Sequence, residues 1–413
     1  MLNAGLGRRL QHRPIQPGQP YGLDLNYTLL PQHLKRLGYE THLIGKPLKC
    51  SVCCYAIFVL NCSFLYVVSF APPDEVFLRH LHTLQENASI TGLDFWNGTA
   101  PAVDAYGHYS TDLFAEKAVR LIKTLDKSKP QFLYLSHQAV HSGNYDNHLQ
   151  APKRNIDKFP YIGEENRTIY AGMLDSLDEA VGRTVRALGE AGILEDSVIV
   201  FSADNGGVAS GVFSTRGINW PLRGIKGSPW EGGSRAAAFF SGPQGSQRSA
   251  GSPTSSCTSP TGCQHSMVSL LDGQDMWNVL SNDEPSPRST MVYNIDPMWG
   301  YAAVRHGRYK IVVGQQKDGV LERIPIPGNP RPQQDLDGLT EQSMSAQTLR
   351  TFYGTESLGF APNWRLNATV MCAEECCADD TNFQSPDYVF LFDLYNDPCE
   401  CNNLASTHKE VHR

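Results

Sequence analysis

The sequence predicts an α/β fold whose large domain is built on a mostly parallel central sheet flanked by helices. Three stretches carry that expectation. Val198-Ile-Val-Phe201 is a short apolar run rich in β-branched residues, the pattern of a strand buried on both faces inside a parallel sheet. Gln131-Phe-Leu-Tyr-Leu-Ser136, set off by Pro130, is a second buried-strand candidate. Between them, residues 168–191 repeat Met173, Leu174, Leu177, Val181, Val185 and Leu188 at helical spacing and stop at Gly192. Strand, helix, strand is a parallel crossover unit, and its right-handed form brings both strand carboxyl ends to one edge.

At 413 residues the chain is long enough for a large core, with one big domain and one small one. Apolar and charged fractions of 41% and 19% belong to a globular protein, and a net charge of −7 argues against nucleic acid as the main partner.

In chain order, residues 1–28 are polar and irregular. Residues 29–37 read as a helix with Leu30, Leu34 and Leu37 along one side and Gly38 as its stop. Thr41-His-Leu-Ile-Gly45 is a short strand with Lys46 at its carboxyl end. Residues 50–73 then carry no charge and are largely apolar, long enough for a membrane span of about 20 residues. Asn61, Ser63 and the crowded cysteines make it a poor span, and a translated intron would interrupt a fold in the same abrupt way. Residues 106–125 return to an amphipathic helix, with Leu113, Phe114, Ala118, Leu121 and Leu125 on its apolar side. Residues 244–267 form an irregular stretch rich in Ser, Gly, Pro and Thr.

Export is suggested by Asn-x-Ser/Thr sites at Asn26, Asn61, Asn87, Asn97, Asn166 and Asn367. The amino terminus has no apolar h-region, so a secretory reading expects residues before Met1. Of the eleven cysteines, the group Cys372, Cys376, Cys377, Cys399 and Cys401 is expected to form disulfides in an exported protein; its spacing matches zinc ligand pairs poorly.

Chemistry-bearing residues gather at strand ends. Asp204 and Asn205 follow the Val198–Phe201 run and offer the oxygen ligands that hard cations need, although on local sequence alone a plain Asx-type turn is the better explanation. His137 and His141 follow the 131–136 strand, and Lys46 follows the 41–45 strand. In open α/β sheets ligands bind outside the carboxyl ends of strands. A cation, an imidazole and an oxygen pair there are the parts needed to hold and cleave an anionic ester, although each alone is more simply a solvated charge or a satisfied ring. Residues 219–235 add a loop rich in Gly, Pro and Trp, in which Arg223, Lys226 and Arg235 can neutralise a ligand's charge.

These residues carry a resemblance. Leu29 to Lys46, Phe132-Leu-Tyr-Leu to His141, Tyr170-Ala-Gly-Met-Leu-Asp and Phe201-Ser-Ala-Asp-Asn-Gly-Gly207 resemble sulfatases of the alkaline-phosphatase superfamily, nearest to the arylsulfatase B (N-acetylgalactosamine-4-sulfatase) group. Trp220-Pro-Leu-Arg-Gly to Trp230-Glu-Gly-Gly, Leu271-Asp-Gly-Gln-Asp-Met-Trp277 and Phe392-Asp-Leu to Asp397-Pro398 continue the match in order. The resemblance implies an alkaline-phosphatase-like α/β domain over residues 1–285 and a smaller sheet domain over 286–413. It also implies a calcium ion, a formylglycine nucleophile and hydrolysis of sulfate monoesters of aryl compounds or glycosaminoglycans, in a lysosomal or extracellular enzyme. Asp204 and Asn205 match calcium ligands, Lys46 and Lys226 match sulfate-binding lysines, and His141, rather than His137, matches the histidine that contacts sulfate and protonates the leaving oxygen.

The departures are as specific. No Cys-x-Pro-x-Arg motif, the source of formylglycine, occurs in the 413 residues, and the family's paired aspartates are not found. Pro47-Leu48 replaces the family's Trp-His-Leu-Gly, and Ser142-Gly143 replaces an acid and a proline. The expectation is therefore a sulfatase sequence that is incomplete at its amino terminus and inactive as it stands. The alternatives are a non-catalytic paralogue that binds sulfated glycans and, less well matched by the 220–233 loop, a phosphoesterase.

Overall fold

The computed structural model describes residues 28–46, 95–98, 100–143, 148–209, 215–242, 273–314, 321, 334–359, 363–372 and 388–410. The apolar run at 50–73 and the irregular stretch at 244–267 lie outside them. Among the described residues no helix is long and apolar enough to cross a membrane.

Helix α1 (Leu30–Arg36) ends as predicted at Gly38, whose φ of 87° reverses the chain into strand β1 (Glu40–Gly45). Trp96–Asn97 (β2) and Ala100–Pro101 (β3) make a small hairpin. Helix α2 (Ser110–Thr124) then leads to strand β4 (Gln131–Ser136). β1 and β4 pair in parallel, in register from Glu40 opposite Gln131 to Gly45 opposite Ser136. The predicted face of α2 covers this pair: Phe114 and Ala118 are fully buried with Leu43, Ile44 and Phe95. Each such large apolar side chain contributes about 1.5–3 kcal/mol on burial.

After the short helix α3 (Lys153–Ile156) comes α4 (Glu165–Glu190). Glu164 caps α4, its carboxylate accepting from the Asn166 and Arg167 amides at 3.3 and 2.7 Å. Met173, Leu177 and Val185 are buried as their spacing requires. Leu174 is not; it sits one position off that stripe and is 51% exposed.

Strand β5 (Ile199–Ser202) corrects the sequence reading. Val198 and Val200 are 43% and 58% exposed, and the strand pairs antiparallel with β6 (Ala238–Ser241), Phe201 stacking on Phe239 at 5.1 Å between ring centroids. The β-branched run reflects strand propensity with one covered face, not burial on both. The parallel part of the sheet among the described residues is β1 with β4.

Helices α5 (Glu231–Ser234) and α6 (Trp277–Asn282) precede the carboxyl-terminal sheet. Strands β7 (Thr290–Asp296), β8 (Tyr301–His306), β9 (Tyr309–Val313) and β10 (Val389–Asp393) form a four-stranded antiparallel sheet in the order β10-β9-β8-β7. Between β9 and β10 lie α7 (Leu336–Gln342), α8 (Met344–Tyr353) and α9 (Trp364–Ala368). Trp230, from the loop before α5, is wholly buried against this sheet, edge-on to Phe390 and Phe392 at 5.3 and 5.5 Å. The expected disulfide chemistry is present as Cys372–Cys399, which takes both thiols away from any zinc site.

Candidate functional site

Lys46 is placed at the carboxyl end of the β1–β4 ladder. Its amide donates to the Ser136 carbonyl at 2.8 Å, and the Ser136 hydroxyl donates back to the Lys46 carbonyl at 2.6 Å. The parallel register therefore makes Lys46 and the 137–141 turn leave the sheet at one edge, whereas the parallel crossover expected between β4 and β5 is not seen among the described residues, where β5 pairs with β6 instead.

The structure separates the two histidines that spacing could not. Both ring nitrogens of His137 lie out of contact with water and have no hydrogen-bond partner among the described residues, although part of the residue remains accessible. Its ring packs beside Phe114 at 6.1 Å, and burial lowers its pKa to about 4, so the ring is neutral near pH 7. His141 is half-buried in a turn closed by its own amide donating to the Gln138 carbonyl at 2.8 Å. Its Nδ1 lies 2.7 Å from the Ser142 carbonyl oxygen. A carbonyl only accepts, so Nδ1 carries a proton and Nε2 is the nitrogen that changes protonation state.

Asp204 and Asn205 lie just past β5, the aspartate exposed and the asparagine half-buried. The Asn205 amide group donates to the Gly206 carbonyl at 2.9 Å, which leaves its Oδ1 as the atom suited to a cation. The Asp204 carboxylate and this amide oxygen are hard donors and fit calcium in kind. They supply two of the roughly six to eight oxygens calcium takes. Among the described residues no group of three or more His, Cys, Asp or Glu side chains converges as a metal site.

Lys226 is brought to this turn by the backbone. Its amide donates to the Gly207 carbonyl at 3.2 Å, while Asn219 brackets Gly207, accepting from its amide at 2.6 Å and donating to its carbonyl at 3.1 Å. Only glycine fits at 206, because a Cβ there would fall 1.7 Å from the Gly232 carbonyl oxygen. The 204–207 turn and the 219–233 loop are thus one stitched unit. Arg223 departs from its predicted ligand-facing role: it is buried, and its Nε donates to the Glu400 carbonyl at 3.0 Å.

The two pairs, Lys46 with His141 and Asp204–Asn205 with Lys226, share a support in the amino-terminal half of α4. Val140, beside His141, packs in a cluster with Ile169 and Met173. The next residue, Tyr170, sets its hydroxyl 3.0 Å from where a Cβ on Gly217 would lie, and Gly217 abuts Gly207.

Sequence reasoning missed a second cluster beneath the loop. Lys310 Nζ is fully buried, 2.9 Å from Glu231 Oε1 and 2.7 Å from Glu400 Oε1, the latter an electrostatic contact more than a directed hydrogen bond. The Tyr293 hydroxyl donates to Glu231 Oε1 at 2.8 Å. Burial pushes the Glu400 carboxyl up to about 7 despite the nearby ammonium. At Glu231 the same burial is outweighed by Lys310 and Tyr293, and its pKa falls below the usual carboxylate value. A signal was present: Lys310 and Val312 occupy the same buried register of β9, and a lysine in an apolar register requires a buried counter-charge.

A family model described as Sulfatase matches residues 6–273, well over half of the 413 residues. The chain belongs to the sulfatase family. Arylsulfatase J of Mus musculus is 33% identical over 77% of this sulfatase chain and 52% of its own length. The chain spans about half the length, or less, of the curated relatives it matches. Among solved structures, one described as Ps i-CgsB aligns over 95% of this chain and 73% of its own, with a TM-score of 0.62 and 19% identity. A complex of Ps i-CgsB with k-i-k-neocarrahexaose aligns over 85% of this chain and 81% of its own, at a TM-score of 0.58 and 21% identity. At these identities the likeness speaks for the fold, an alkaline-phosphatase-like α/β architecture.

Proposed function

We propose that this chain carries part of the site of a sulfuric ester hydrolase of arylsulfatase type, acting on sulfate monoesters of small molecules or glycans, glycosaminoglycans among them. The observation that supports the reading best is the stitched unit in which the Lys226 amide bonds to Gly207, two residues past Asn205. A lysine and two oxygen donors brought together by backbone at a strand end suit a tetrahedral anion and a counter-ion. Asp204 and Asn205 would hold calcium, which when bound neutralises charge on the sulfate. The Lys46 and Lys226 ammonium groups would pair with sulfate oxygens, and His141 Nε2, when protonated, would donate to the departing alcohol oxygen. The nucleophile, formylglycine in the family, has no Cys-x-Pro-x-Arg source within these 413 residues.

Three Asn-x-Ser/Thr sites that the structure describes, Asn97, Asn166 and Asn367, are exposed, which supports a glycoprotein of the secretory pathway, lysosomal or extracellular. The domain division at residues 285 and 286 is part of the same reading: the four-stranded sheet begins at Thr290. The departures at Pro47-Leu48 and Ser142-Gly143 favour one second reading, a sulfatase-like paralogue that binds sulfated glycans without cleaving them.

Calorimetric titration of the 413-residue chain with 4-nitrophenyl sulfate in calcium tests the proposal. Binding that weakens by about tenfold in each of Lys46→Ala, His141→Ala and Lys226→Ala, without turnover, is expected. Unchanged affinity in all three variants would sink the site, and turnover abolished by His141→Ala would refute the inactivity of this chain.

A further inference from the structure

We propose that Glu400 is a positioning residue: with Lys310 and Glu231 it clasps the 219–233 loop to the carboxyl-terminal sheet, and so sets Lys226 against the Asp204–Asn205 turn. The proposal rests on the sulfatase reading of that turn for its functional meaning and on geometry for its existence.

Three contacts from separate parts of the chain meet on Glu400. Its Oε2 accepts from the Glu231 backbone amide at 2.7 Å, its Oε1 meets Lys310 at 2.7 Å, and its carbonyl accepts from Arg223 Nε at 3.0 Å. Two of these grip the loop on either side of Lys226, at residues 223 and 231. From there the connection runs through backbone: the Gly232 amide donates to the Arg223 carbonyl at 2.6 Å and the Gly206 amide to the Gly233 carbonyl at 3.1 Å. A shift of Glu231 is therefore passed to the 204–207 turn through one hydrogen bond on each side.

Glu400 is itself held. It follows Cys399 of the disulfide, and Asp397 accepts from the Cys401 and Asn402 amides at 2.9 and 2.7 Å. Its φ of 59° is left-handed, an unfavourable conformation for a glutamate that persists only where surrounding contacts over-determine it. An apolar trio of equal volume would hold the sheet and loop together as well as a buried ion cluster does. What the charges add is direction: the Glu400 carboxylate and the Lys310 ammonium fix the loop at one register. Burial of two carboxylates around one ammonium, with the Tyr293 hydroxyl as a further donor, makes that register sensitive to the charge of Glu400.

Hydrogen exchange read by mass spectrometry on the full chain tests the clasp, with 4-nitrophenyl sulfate affinity and equilibrium unfolding measured alongside. Glu400→Gln should raise exchange of the Gly206, Lys226 and Gly232 amides by about tenfold or more, with β8 and β9 amides within about twofold of wild type. The affinity of Glu400→Gln for 4-nitrophenyl sulfate should fall by about tenfold, and Glu400→Asp, which keeps the carboxylate, should raise loop exchange less than Glu400→Gln does. Loop amides unchanged in Glu400→Gln, or exchange rising alike in loop and sheet, would overturn the proposal. Should Glu400→Gln not fold, Tyr293→Phe removes one hydroxyl from the cluster and decides the matter: faster loop exchange supports the clasp and unchanged exchange refutes it. If the wild type does not bind the ester, the sulfatase reading fails while loop exchange still judges the clasp.

Discussion

Lys46 and Lys226, offered for the same sulfate, are held in place by different means. Lys46 extends a parallel ladder, its own amide and carbonyl both bonded to Ser136, so that the backbone of β1 and β4 sets its position. Lys226 rides on a loop of glycines and two tryptophans whose place depends on Lys310 and Glu400, 84 and 174 positions further along the chain (310 − 226 and 400 − 226). The ladder is redundant, since each of its bonds is one of several. The ion cluster is not, since one side chain serves two partners. The first half of the site should thus tolerate single substitutions that the second cannot.

Lys310→Met puts the sharpest strain on that contrast. It strands two buried carboxylates, and breaking such a cluster costs about 3–5 kcal/mol. Ser136→Ala, which deletes one side-chain bond from the ladder, costs about 1 kcal/mol. Denaturant unfolding of both variants checks the pair. Similar losses would erase the distinction between the two regions.

Titration draws the contrast more finely, because the two halves respond to pH in opposite senses. His137, beside the Lys46 half, has a folded pKa of about 4, below its ordinary 6.5. It binds its proton less well folded than unfolded, so its contribution to stability is present above pH 6.5 and is lost as pH falls toward 4. Glu400 has a folded pKa of about 7, above the ordinary 4.5 for a glutamate. Its protonated form is favoured by folding, so its contribution is full below pH 4.5 and declines as pH rises toward 7. Glu231, lowered, opposes it within the same cluster. Unfolding free energies taken from pH 4 to pH 7 should lose part of their acid decline in His137→Phe and, in Glu400→Gln, lose part of their decline from pH 4.5 toward pH 7, whatever the absolute stability of each variant. Parallel pH curves for all three proteins would contradict both assignments.

Much of the first half could be read from the sequence. Gly38, Pro130 and Gly192 are local punctuation, and they mark where α1 ends, where β4 begins and where α4 stops. The 131–136 run and the α2 stripe of Phe114 and Ala118 likewise follow from periodicity. The strand before Asp204 was misjudged because β-branched residues report propensity without reporting how many faces are covered, and Val200 faces out. Lys226 was singled out as a loop cation, but its neighbour at the Gly207 carbonyl is a long-range backbone contact that no local pattern encodes. The Lys310 cluster was harder still. Its three charged members lie on separate elements, and what the sequence held was one lysine in an apolar register.

The central claim is that Lys46, His141 and Lys226 surround one tetrahedral anion. Selenate soaked into crystals of the chain, located by its anomalous signal, tests this without any need for turnover. The account predicts one peak within hydrogen-bonding reach of all three side chains. A peak bounded by Lys46 and His141 alone, or by Lys226 alone, would contradict it and separate the two halves into unrelated surfaces.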